Sequence, residues 1–167
     1  MTEGIEPVLA ERWADYQRLR AAGAAYSALV RLGEIGNVLD HKDGHDPAVQ
    51  KWKLTVGEAQ IPDAMRGAAI AEAIKDVSRL QRMLSIGTTF TYEELMLAIT
   101  IRVQLELLSQ FLAQRGEAPD FHLSAIDDGL RRVAGHHENA SAFRSAQTAA
   151  RRNWGAPIQA SWIESAE

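Results

Sequence analysis

The chain has 167 residues and no cysteine. That one absence removes disulfides, Cys-ligated zinc, iron–sulfur clusters and cysteine nucleophiles together. It fits a cytoplasmic protein, because intracellular chains rarely carry disulfides. Glycine-rich phosphate loops are missing as well: neither GxGxxG nor GxxxxGK[ST] occurs, so no nucleotide cradle and no cofactor are expected. The N-terminal stretch MTEGIEPVLAERW is acidic and lacks the apolar core of a secretory signal. No long apolar run is free of polar residues. The most apolar one, Leu95 to Leu112, contains Arg102, Gln104, Glu106 and Gln110, and charges at mid-helix are expensive in lipid. No membrane partner is therefore expected. Convincing strands are lacking too, and a lone strand is unstable in water.

What remains is an ordinary globular composition, 46% apolar and 24% charged. The fold class expected is all-α, a single-domain bundle of about five or six helices built around a central helix hairpin. The bundle should occupy residues 1–155 and leave 156–167 as a C-terminal tail.

The helix that organises the rest is the clearest. Thr91 and Glu94 stand three apart as a capping box, and Phe90 and Leu95 form the matching hydrophobic staple. From Leu95 to Leu112 apolar residues cover much of the circumference, so neighbours are expected on more than one side. Arg102, Glu106 and Gln110 are assigned to a narrow solvent strip. The preceding helix should run from Pro62-Asp63 to about Ile86, with Ile70, Ala73, Ile74, Val77, Leu80 and Leu84 as its buried stripe. So short a link, Gly87 to Thr89, predicts an antiparallel pair.

Earlier in the chain, a first helix begins at Glu6-Pro7 with Leu9, Trp13, Tyr16 and Leu19 as its stripe, and it is read as passing through Gly23. Gly33 and Gly36 are read as loosening its end. Asp46-Pro47 marks the start of a short helix over Ala48 to Ala59. Later, Ser124 is assigned as the cap of a helix to Ala134, and Asn139 as the cap of a last helix from Ala140 to Asn153.

Chemistry is harder to place. Asp40, His41, Asp43, His45 and Asp46 offer His and carboxylate ligands, which makes His41 and His45 the candidates for a metal-dependent enzyme. Their spacing matches neither HExxH nor an EF-hand loop, and a hydrophilic turn is the simpler reading. A di-iron site needs Glu-x-x-His pairs. Glu93 and Glu94 are followed three residues on by Met96 and Leu97, and Glu106 by Ser109.

Charge is distributed unevenly. Between Leu130 and Trp154 five arginines face Glu138 alone, a net of +4, which leaves −8 for the rest of a chain whose total is −4. Arg131, Arg132, Arg144, Arg151 and Arg152, with Trp154, Trp162 and Ile163, are the candidate interface residues, because Arg and Trp are enriched at binding hot spots. The function expected is a non-enzymatic helical adaptor or assembly subunit that works through protein contacts, self-association included. The alternative is nucleic-acid binding through the Arg-rich C-terminal helices.

Overall fold

A computed structural model describes the backbone of residues 5–154 and the side chains of residues 6–149. The described residues form seven α-helices and no strand. They are α1 (Ile5–Ala21), α2 (Ala25–Asp40), α3 (Pro47–Gly57), α4 (Asp63–Ile86), α5 (Tyr92–Gln114), α6 (Leu123–Gly135) and α7 (Ala140–Trp154), with a 3-10 turn at His137–Asn139 before α7. The all-α, bundle-like class read from the sequence is the one observed. Backbone contacts group into two compact units. The first holds the chain up to Glu72 and Leu107–Pro119, the second Ala73–Glu106 and the chain from Asp120 on. Both long helices, α4 and α5, contribute residues to each.

In the first unit α1 packs along α2, and α2 on α3. The sequence reading of one helix running through Gly23 is corrected here. Gly23 takes a left-handed φ of +77°, its N–H reaches Arg20 O, and the Ala24 N–H reaches back to Leu19 O. That is a Schellman stop, and it favours a residue without Cβ. Glycine ends α1, so one expected helix becomes two.

Gly33 is corrected in the opposite sense. It does not loosen α2, which continues to Asp40. It is buried, and a Cβ placed there would collide with the backbone carbonyl of Leu107. The glycine permits a close approach of two helix backbones. Beside it Glu34, almost fully buried, accepts from Arg12 Nε at 2.6 Å and Arg31 Nη1 at 2.8 Å. Two guanidiniums offset the desolvation that a lone buried carboxylate would suffer. The start of α3 is as the sequence reading has it: Asp46 Oδ1 accepts from the Ala48 N–H at 2.9 Å and Pro47 occupies the first turn.

In the second unit the capping box forms in both directions, Thr91 N–H to Glu94 Oε1 and Glu94 N–H to Thr91 Oγ1, each at 3.1 Å. Phe90 and Leu95 are both buried, as the staple requires. On α4 the buried stripe is Ala69, Ala73, Val77, Leu80 and Leu84, whereas Ile74 is exposed. Two cap assignments are corrected. The residue preceding α6 is His122, in left-handed conformation, with no side-chain cap; its N–H is held by Asp120 Oδ1 at 2.8 Å. Asn139 is fully buried, and its side chain works across the fold. Oδ1 accepts from the Phe90 N–H at 2.9 Å, while Nδ2 donates to Thr88 O at 2.8 Å and Val133 O at 3.0 Å. One amide thus ties the α4–α5 link to the end of α6.

Candidate functional site

The basic region selected from sequence falls on α6 and α7. Arg131 is exposed and paired with Asp128, one turn earlier, at 3.1 Å. Arg132 donates from Nη2 to Leu84 O at 3.0 Å, a carbonyl in the last turn of α4, where a cation is favourable. Part of the basic character of α6 is therefore engaged within the second unit. Arg144 differs: its described contact is a long hydrogen bond to Ala140 O at 3.4 Å, and it has no carboxylate partner among the described residues. Arg151, Arg152 and Trp154 lie in α7 with side chains outside the described residues, and Trp162 and Ile163 lie outside them altogether.

Arg144 gains a neighbour that sequence reasoning missed. Together with Ser145, Thr148 and Ala149 of α7, and Tyr92 at the start of α5, it lines an open groove of about 370 Å³. Tyr92 is 40% exposed. Ile86, six residues earlier at the end of α4, is 77% exposed. Tyrosine and arginine on one groove are residue types that concentrate binding energy. The sequence signal for Tyr92 was its place in the first turn of a capping-box helix; its proximity to α7 follows from the tertiary fold.

A second correction concerns Arg102 and Glu106, assigned from sequence to solvent. Arg102 is buried at 5% exposure. Its Nε and Nη2 donate to the two oxygens of Asp127 at 2.6 and 3.0 Å, and Nη1 donates to Glu106 Oε2 at 3.1 Å. Asp127 of α6 is the bidentate partner that brings α6 onto α5. One guanidinium here serves two carboxylates. Burial raises the Glu106 pKa above the ordinary glutamate value; Arg102 opposes the rise and the negative charge of Asp127 adds to it. The trio is a packed ion cluster and lines none of the described grooves.

His41 and His45 sit exposed in the turn between α2 and α3. His41 Nδ1 is 2.8 Å from Asn37 O, and the His45 N–H donates to Asp43 Oδ1 at 2.9 Å. Asp46 is occupied as the α3 cap. Among the described residues no three His or acidic side chains converge as a metal site would require. By length and composition α5 could cross a membrane, yet 61% of its most apolar window is buried within the protein. Comparison with family models, with curated proteins and with solved structures gave no match.

Proposed function

We propose that the chain is a non-enzymatic helical assembly subunit of the cytoplasm, working through protein contacts made by α7 and the start of α5. The observation that carries this reading is Arg144 beside the exposed Tyr92, with no carboxylate of its own among the described residues. A cation in that setting favours an acidic surface, and a second copy of the chain is the first candidate because the sequence outside Leu130–Trp154 carries −8. A contact of this kind is steered by charge and weakened by salt.

The test is mass by light scattering after size exclusion at low and high salt, with absorbance read at two wavelengths. A discrete oligomer free of nucleic acid, lost in Tyr92→Ala/Arg144→Glu and weakened by salt, is the expected result. A monomer that carries nucleic acid until salt strips it would replace this reading with nucleic-acid binding through α6 and α7. An oligomer unchanged by the double substitution would remove the Tyr92–Arg144 surface from the argument.

A further inference from the structure

On α1, Trp13, Tyr16, Gln17, Arg20 and Ala21 recur at spacings of three and four, which places them on one side of the helix. With Ala59, just beyond α3, they line a groove of about 470 Å³ in the first unit. That volume lies in the range of small-molecule sites. Its wall at Ala59 is fixed: Arg115 lies over the Phe111 ring at 5.2 Å and donates to Val56 O at 3.0 Å and Ala59 O at 3.1 Å. The two alanines leave space, and the half-buried Trp13 ring supplies a flat apolar surface. Trp13 is half-buried, tilted against Tyr16 at 5.1 Å and edge-on to Trp52 at 6.4 Å.

Arg20 supplies the polar end. Its Nη1 donates to Tyr16 Oη at 2.9 Å, and no carboxylate pairs with it among the described residues. Held by the phenol at one nitrogen, the guanidinium keeps its remaining N–H groups for a planar acceptor, the geometry that suits a carboxylate. Behind Trp13, and outside the groove lining, the Trp52 indole N–H is buried and has no acceptor among the described residues. Native folds seldom leave such a donor unmet. The Arg20 position in the last turn of α1 accounts for a cation there, but not for an aromatic groove beside it.

We propose that this groove binds a small planar aromatic carboxylate, its ring against Trp13 and its carboxylate on Arg20. The site is separate from Tyr92 and Arg144, so it stands or falls independently of the assembly reading. The experiment is a titration of the full chain with 2-naphthoate, followed by the Trp indole N–H signals in NMR, with those of Trp13 and Trp52 assigned by Trp13→Phe and Trp52→Phe. The neutral analogue 2-naphthylmethanol is the control.

Saturable shifts of the Trp13 signal are expected at sub-millimolar naphthoate, with the alcohol weaker by roughly 10-fold or more, as loss of a charge-assisted bidentate contact implies. Arg20→Met should weaken naphthoate by a similar factor and leave the alcohol unchanged. Ala59→Phe, which fills the groove, should abolish both. Absence of saturation at millimolar naphthoate would overturn the proposal. So would equal binding of acid and alcohol to the unaltered protein, a comparison that requires no variant to fold.

Discussion

The sharpest test of the packing argument is the cluster of Arg102, Asp127 and Glu106. In Asp127→Asn the shape is kept and the charge removed. The amide still offers one oxygen, but its NH₂ opposes a guanidinium donor where Asp127 had accepted at 2.6 and 3.0 Å. Hydrogen bonds to charged groups contribute about 1.5–3 kcal/mol each; one is lost outright and the other falls to a neutral acceptor, so the gross loss is about 2–5 kcal/mol. Glu106 recovers part of it. It stays 3.1 Å from Nη1, and without the negative charge of Asp127 nearby its ionised form is less disfavoured. The expected net cost is about 3 kcal/mol, the lower end for breaking a buried pair. Glu106→Gln retains an acceptor for Nη1 and removes a carboxylate that burial already disfavours, so its expected cost is under about 1 kcal/mol. The double variant leaves Arg102 facing two amides and should exceed the sum of the singles by more than about 1 kcal/mol. Urea unfolding at neutral pH, followed by far-UV circular dichroism and tryptophan fluorescence, measures all three, and coincident transitions validate the free energies. Additivity within about 0.5 kcal/mol, or an Asp127→Asn cost below about 1 kcal/mol, would refute the claim that one guanidinium is shared between two carboxylates.

Three further outcomes follow from the same structure. Asn139→Ala should cost about 2–4 kcal/mol, because it leaves the buried Phe90 N–H without its acceptor, and hydrogen exchange at Phe90 should accelerate accordingly. Gly33→Ala should destabilise by roughly 1–3 kcal/mol or prevent folding, since its Cβ meets the Leu107 carbonyl, while Gly67→Ala on exposed α4 surface should stabilise by about 0.5–1 kcal/mol; thermal melts of the pair separate the two effects. Glu106 makes its stability contribution fall as pH rises. Above the ordinary value of 4.5 the unfolded chain releases this proton while the folded protein still holds it, so stability drops until the raised folded pKa is passed, then levels. Unfolding free energies of the unaltered protein relative to Glu106→Gln, taken across mildly acid to neutral pH, should decline over that window, and a flat difference would contradict the assignment.

What the sequence determined alone was whatever depends on neighbours along the chain. The capping box at Thr91 and Glu94, the Asp46-Pro47 start of α3 and the limits of α4 rest on interactions over a few residues, and each appears as read. The all-α class follows for the same reason, from helical periodicity and caps. Two glycines show where that reasoning stops. The sequence reading passes a helix through Gly23 and loosens it at Gly33, yet the first ends a helix through a left-handed turn and the second admits another backbone, because only the surroundings decide which property of glycine is used. Charge behaves likewise. Arg102 and Glu106 are legible as an i,i+4 pair, but Asp127 lies 25 residues from Arg102, and that distant carboxylate turns a solvent strip into a buried cluster. Asn139 looked like a cap because Asn favours caps locally, and it serves instead as a tie to Phe90, 49 residues away. The grooves beside Trp13 and Tyr92 belong to this second kind. A helix face read alone reports its periodicity, while its exposure depends on which other elements cover it, and that is decided only when the whole chain packs.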